Sequence, residues 1–295
     1  MTKAIVLVHG GASGVSGERL DACIDGCKRA AKAGARALDE GALAAVVAAV
    51  KILEEDPSFN AGLGSTLTRD GNVELDAAVM TGDLKFGAVG ACSPVTSAIE
   101  LALQVMNDAE HAVLVGEGAL VFARERGVKI LGPQDLTVAR VAQQLDEEKS
   151  RREAGGAPSG GLGTVGAVAV DSEGRLAAAT STGGMLYKRP GRLGDSAISG
   201  AGVYADAEKG AAVSATGHGE LIMRLGLSRE AVDRFASGMK VADAAESSLR
   251  ELERRLDGRA GLIIVDRDGQ VYAGRNTSSM PWASCAQGES ARAGS

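Results

Sequence analysis

Lys3–His9 is a nearly unbroken apolar run that predicts a buried strand, and the glycines of Gly10–Gly14 end it in a turn. Apolar residues then recur every three or four positions over 18–37 and 40–55, both Ala-rich. That spacing predicts two amphipathic helices, the second stopped by Asp56–Pro57. A glycine-rich loop, Asn60–Ser65, leads to short strands at Glu74–Met80 and Phe86–Ser93 and to helices over 95–107 and 116–126. The stretch 146–163 (DEEKSRREAGGAPSGGLG) breaks the pattern. It is a charge cluster followed by Gly, Ala, Pro and Ser, with Leu162 its one large apolar residue, and it reads as a mobile linker.

Beyond it, Thr164–Asp171 and Arg175–Thr182 are runs of small and β-branched residues joined by a Ser-Glu-Gly turn, which predicts a hairpin. Strands follow near Val203–Tyr204 and Ala212–Thr216, then helices near 218–226, 228–237 and 240–256. A last hairpin pairs Gly261–Asp266 with Gln270–Ala273. Hairpins dominate over strand–helix–strand alternation, so the pattern predicts an α+β fold of antiparallel sheets covered by helices. There is no internal repeat.

Composition narrows the function classes. Glycine is 41 of 295 residues, about twice the usual share, without the periodicity of collagen. It implies tight turns and places where backbone approaches something closely. Aromatic residues are only 3%, too few for a base-stacking nucleic-acid platform. The net charge is −6; residues 1–163 carry 16 Lys/Arg against 22 Asp/Glu, and 164–295 carry 16 of each, so neither part is a polyanion binder. No apolar run is long enough to span a membrane, and the N-terminus lacks a signal-peptide pattern. The expected compartment is therefore the cytoplasm. Cys23, Cys27, Cys92 and Cys285 match no zinc spacing and read as small buried hydrophobes.

Two segments carry candidate chemistry. HGGASG (9–14) follows a strand, but it fails the G-x-G-x-x-G and Walker patterns, and no G-x-S-x-G elbow accompanies it. A structural turn or the backbone lining of another site is favoured over a phosphate cradle. The second segment is rich in hydroxyls and glycines: Gly163-Thr164, Thr180–Gly184, Gly191–Ser196 and Thr216–Glu220. An Arg between glycines, Arg192, can present a planar fork to a carboxylate, and Asp195 can hold an ammonium. Together they would suit the zwitterionic head of an amino acid. The three histidines, His9, His111 and His218, form no Ser-His-Asp or Cys-His spacing. A hydrolase here needs another base. An α-amino group, with a pKa of roughly 8, is one, and a Thr at a newly made N-terminus carries nucleophile and base on one residue. The linker before Thr164 is where a chain can be cut without unravelling a core.

Eight ordered segments resemble the plant-type asparaginase/isoaspartyl peptidase family of N-terminal nucleophile hydrolases. They are HGGASG (9–14), FNAGLGSTLTRDGNVELDAAVM (59–80), GTVGAVAVD (163–171), LAAATSTGG (176–184), GRLGDS (191–196), GAGVYAD (200–206), ATGHGE (215–220) and RNTSSM (275–280). The resemblance implies a four-layer αββα sandwich formed by one domain over 1–295. It implies self-cleavage between Gly163 and Thr164 into an α subunit (1–163) and a β subunit (164–295). Thr164 would then hydrolyse L-asparagine or β-aspartyl dipeptides through an acyl-enzyme. Thr182 would tune the nucleophile, and Thr216 and Gly217 would stabilise the oxyanion. Arg192, Asp195 and Gly219 would hold the substrate, and Asn60 would support the site. Backbone carbonyls of Leu53, Glu54, Asp56, Phe59, Ala61 and Leu63 would hold a structural sodium ion, with no cofactor for catalysis. The implied assembly is a dimer of αβ units acting on small molecules, with no nucleic-acid or membrane partner. The chain departs from the usual pattern at HGGASG, where the family has HGGAG, and at Ala197, where it has Pro.

Two other readings compete. A glycosylasparaginase-like amidase needs a sugar pocket, for which there is no aromatic-rich segment. A non-catalytic nucleotide-binding module built on residues 6–14 predicts one intact polypeptide and no ammonia release.

Overall fold

The structure, a computed structural model, describes residues 3–132, 134–157 and 163–295. In chain order its strands are β1 (Ile5–His9), β2 (Leu75–Thr81), β3 (Phe86–Cys92), β4 (Val113–Val115), β5 (Val165–Val170) and β6 (Leu176–Thr182). They continue as β7 (Val203–Asp206), β8 (Ala211–Gly217), β9 (Ala260–Asp266), β10 (Val271–Arg275), β11 (Trp282–Ala286) and β12 (Arg292–Gly294). The helices are α1 (Gly17–Ala37), α2 (Ala42–Glu54), α3 (Ala98–Asp108), α4 (Gly116–Glu125), α5 (Ala139–Glu153), α6 (Gly219–Leu225), α7 (Leu227–Ala236) and α8 (Val241–Leu256). Helices and sheets are mixed as the hairpin-rich pattern predicts, and the fold is α+β.

Eight strands form one sheet in the order β12-β11-β1-β5-β6-β2-β3-β4, and four form a second in the order β10-β9-β8-β7. All the pairings are antiparallel except β3 with β4. Both faces of the large sheet are covered. Val6, Val8, Ala167, Ala169, Ala177 and Ala179 point to one core, which α1, α2 and α3 close. Ile5, Leu7, Val168, Val170 and Ala178 point to another, shared with the inner face of the small sheet. The outer face of the small sheet packs on α7 and α8. Burial on both faces is why these strands read as continuous apolar runs instead of alternating ones.

Three features were not foreseen. Residues 146–153 belong to α5 instead of to a linker. The charge cluster there is a helix face whose apolar stripe is only Val141 and Leu145, and Glu148 pairs with Arg151 and with Arg152 (2.6 Å) one turn on. The linker proper, of which 158–162 lie outside the described residues, is correspondingly shorter. The edge strand β4 is three residues long, and β11 and β12 are short segments of small and polar residues that carry no strand signal of their own. At α3 the start moves to Ala98 because Ser97 caps it, accepting from the Glu100 N–H at 3.3 Å.

Candidate active site

Thr164 immediately precedes β5, and the antiparallel register Val165↔Ser181 sets it beside Thr182 at the end of β6. The end of β8, Thr216–Gly217, meets the same place from the second sheet, which packs against β5 and β6. Three strand ends thus converge from two sheets. Each is fixed by ladder hydrogen bonds, so the hydroxyls they carry are held on rigid elements.

The Gly163 carbonyl is the focus of the arrangement. It accepts from Asn60 Nδ2 at 2.8 Å and from Thr182 Oγ1 at 2.9 Å. Asn60 Nδ2 also donates to Gly184 O at 2.7 Å, and Asn60 Oδ1 accepts from the Thr66 N–H at 2.8 Å, so the amide is held at both ends. Thr182 Oγ1 itself accepts from the Gly184 N–H at 2.9 Å, which orients its proton toward Gly163. The HGGASG turn lies behind the Gly163–Thr164 peptide. A Cβ on Gly11, whose φ is +103°, would come within 3.0 Å of Gly163 Cα and 3.2 Å of Thr164 N. That turn is therefore backbone lining of this site, and the extra serine of HGGASG, Ser13, is bridged to Ser279 on the far side of it.

A small cleft opens on this peptide, lined by Thr164, Thr182, Met185, Arg192, Asp195 and Gly217 together with Gly163 and Gly184. Arg192 is gripped by Glu220, Nε to Oε1 at 2.9 Å. Asp195 is buried, and its Oδ2 has no hydrogen-bond partner among the described residues. Burial pushes its carboxyl up to about 7, the Arg192 guanidinium pulling in the opposite direction. An unpartnered buried carboxylate beside a guanidinium is an unfinished site. An ammonium would complete the first group and a carboxylate the second. Gly219 lies against both, since a Cβ there would stand 2.7 Å from Asp195 Oδ1 and 2.8 Å from Arg192. The loop carrying Asp195 is closed without a proline, because Asp195 O accepts from Ile198 N (2.9 Å) and Gly202 N (3.0 Å), and Thr180 Oγ1 donates to Ser196 O at 2.6 Å.

Thr216 is fully buried behind Gly217, its Oγ1 accepting from the Ala12 N–H at 3.3 Å. His9 ends β1 and opens the HGGASG turn. It is fully buried, its Nε2 is 2.8 Å from Ser214 Oγ, and burial lowers its pKa to about 3, the Thr164 backbone opposing weakly. It is neutral at working pH, and no described hydrogen bond links it to the Thr164 hydroxyl. Among the described residues no imidazole hydrogen-bonds the Thr164 hydroxyl, as a base of the serine-protease kind would.

The turn after α2 carries the residues expected to hold a cation, and it is closely packed. A Cβ on Gly64 would come within 2.6 Å of Pro57 O and 2.8 Å of Phe59 O, and one on Gly62 would collide with Glu54 O. Two of the turn's carbonyls are already engaged, Glu54 O accepting from the Leu63 N–H at 2.7 Å and Asp56 O from the Phe59 N–H at 3.2 Å. The carboxylate of Glu54 is turned away from this loop. It accepts from Ser97 Oγ (2.6 Å), Ser181 Oγ (2.6 Å) and Ile99 N (3.0 Å), and burial raises its pKa to about 7. Asp56 accepts from Ser58 N at 2.9 Å and pairs with Arg29.

Four contributors were missed in sequence: Glu220, which holds Arg192; Thr66, whose Oγ1 donates to Gly183 O (3.1 Å) and Gly184 O (3.0 Å); Met185, which lines the cleft; and Asp76. Asp76 is fully buried and accepts from Ala91 N (2.8 Å) and Gly194 N (3.0 Å), which pins the Arg192 loop to β2 and β3. All but Met185 sit inside the matched segments, yet nothing in their spacing identifies their partners.

The family profile described as asparaginase matches residues 2–294. The isoaspartyl peptidase/L-asparaginase of Bos taurus is 42% identical, covering 97% of this chain and 94% of the relative. The Homo sapiens protein of the same name is 43% identical over the same shares, and the isoaspartyl peptidase of Escherichia coli (strain K12) is 40% identical over 95% of this chain and 92% of its own length. The chain belongs to the asparaginase family that these isoaspartyl peptidases and L-asparaginases represent.

Proposed function

We propose that this chain is an isoaspartyl peptidase and L-asparaginase, a hydrolase that cuts itself before Thr164 and then uses that threonine on β-aspartyl amides. The observation that carries the reading is the single cleft in which Thr164 faces the Arg192–Asp195 pair. The pair fits the α-carboxylate and α-ammonium of an aspartyl head, and Thr164 stands where the side-chain amide would lie.

In the uncut chain, Thr164 Oγ attacks the Gly163 carbonyl carbon. Asn60 and Thr182 donate to the carbonyl oxygen as it gains charge. The C–N bond to Thr164 breaks, leaving an ester and a free α-amine, and water then cleaves the ester to release the Gly163 carboxylate. In the mature enzyme the α-amine takes the proton of Oγ, and Oγ attacks the β-carbonyl of the substrate. Ammonia or an amino acid leaves with that proton, and water hydrolyses the aspartyl ester. Gly217, with Thr216 behind it, lines the cleft where the oxyanion would form.

The layer order of helices, large sheet, small sheet and helices supports the finer reading of one four-layer αββα domain over 1–295. Carbonyls of Leu53, Glu54, Asp56, Phe59, Ala61 and Leu63 would hold a sodium ion, whose charge would fix the loop bearing Asn60; no bond-making step runs through it. The four free, buried cysteines suit the reducing cytoplasm, and no described helix is long and apolar enough to cross a membrane. The assembly we infer is a dimer of αβ units.

Purified protein should release ammonia from L-asparagine and aspartate from β-aspartyl dipeptides, and Thr164→Ala should do neither. Activity confined to glycosylated asparagine would favour the glycosylasparaginase reading. An active Thr164→Ala protein would refute the assignment of the nucleophile.

A further inference from the structure

A second, larger cavity of about 620 Å³ reaches Asn60, beside the Gly163–Thr164 peptide, and is within the usual size of small-ligand pockets. Its inner end is formed by Asn60, which touches Gly163 O, and by His218, which follows Gly217. Its outer walls carry Arg19 from α1, Arg140 from α5 and Arg259. No Asp or Glu lines it among the described residues.

The three cations are not equally compensated. Arg259 pairs with Glu253 and Asp257. Among the described residues Arg140 donates to neutral oxygens, Pro57 O at 2.9 Å and Gln144 Oε1 at 3.2 Å. Arg19 is exposed and has no hydrogen bond or ion pair among the described residues. Burial and the nearby charge of Arg19 both lower the pKa of Arg140, so the two guanidinium groups repel across the cavity wall. An anion placed between them would relieve that repulsion.

The position of the cavity assigns it a role. Arg192 and Asp195 take the aspartyl half of the substrate in the small cleft, so whatever is attached to the amide nitrogen points away from that pair. We propose that this second cavity is the leaving-group subsite, and that Arg19 and Arg140 make it select β-aspartyl peptides whose released residue bears an acidic side chain. The inference rests on the isoaspartyl peptidase reading above and names the substrate class within it.

The test compares kcat/KM for β-aspartyl-glutamate and β-aspartyl-glutamine, which share one shape and differ in one charge, on the self-processed enzyme, with L-asparagine as reference. The expected result is a preference for glutamate of about tenfold or more, the size of one charge-assisted hydrogen bond. Arg19→Gln should reduce that preference and Arg140→Gln should remove most of it, while Arg19→Lys keeps part of it. Arg19 is exposed, so its substitution does not threaten the fold. Equal rates on the two dipeptides in an enzyme that hydrolyses L-asparagine would overturn the subsite alone. A preference that both arginine variants leave unchanged would do the same, as would losses equal for both dipeptides, which would place the Gly163 carboxylate of the cut chain in the cavity instead. An enzyme that cleaves none of the three substrates would overturn the enzymatic reading and the subsite with it.

Discussion

At the scale of single residues, the account turns on which atoms face the Gly163 carbonyl and which face an incoming amino acid. Thr182 and Asn60 both donate to that carbonyl, so in the proposed self-cleavage each would stabilise the oxyanion. Losing one such donor costs about 10²–10³ in rate. Thr182→Ala and Asn60→Ala should therefore slow the cut by that order, read from a denaturing-gel time course; a cut at the parental rate would remove these residues from the mechanism. Asp195 gives a pH prediction. Its pKa is raised to about 7, so the carboxyl is neutral below that value and charged above it. The charged form is the one that holds an ammonium. Affinity for L-aspartate, the product, should weaken as pH falls from about 8 to about 6, the range over which this carboxyl takes up its proton, and a flat titration would mean that Asp195 does not bind it. Glu220 should act only through Arg192: Glu220→Gln should raise KM several-fold with little change in kcat, and a pure loss of kcat would contradict that positioning role.

At the scale of elements, the sequence was legible where periodicity and turn chemistry agree. Helices α1, α2 and α8 and the β5–β6 hairpin follow from apolar spacing and Gly-containing turns, within a few residues of the predicted ends. It was not legible where an element borrows its signal from a partner. Strand β11, mostly small residues after Trp282, has no strand pattern of its own and pairs with β1, Val6 opposite Cys285, and α5 hides its stripe inside a charge cluster. The candidate site divides in the same way. Arg192, Asp195 and Thr164 announce themselves through glycine neighbours and a preceding linker, but the partnership of Asn60 with Gly163, 103 positions apart, is a tertiary fact. Close packing of elements gives a further prediction. A Cβ on Gly87 of β3 would collide with the backbone of Ala102 and Met106 in α3. Gly87→Ala should destabilise by about 1–3 kcal/mol through overpacking, measured by urea denaturation. An unchanged midpoint would mean that α3 can move off the sheet.

At the scale of the whole molecule, the large sheet joins residues on both sides of the proposed cut, since β1 pairs with β5 and β6 with β2. A break before β5 thus leaves the ladders intact, and the two subunits should stay together after cleavage. Stability of the uncut form should carry a mark of Glu54, which ties α2 to β6 through Ser181. Its native pKa is raised to about 7, so the folded state holds the proton more tightly than the unfolded chain does. That contribution is complete below the ordinary glutamate value of about 4.3 and is lost as pH rises through about 7. Asp195 acts in the same direction. In the single-chain Thr164→Ala background, denaturation midpoints should fall as pH rises from about 5 to about 7, and Glu54→Gln should flatten the trend. The central claim is that one threonine becomes a chain terminus and so supplies both nucleophile and base. N-terminal sequencing of catalytically competent protein tests it most directly. The account predicts a second sequence beginning Thr164-Val165-Gly166 in proportion to activity, and full activity in protein that has only its original N-terminus would contradict it.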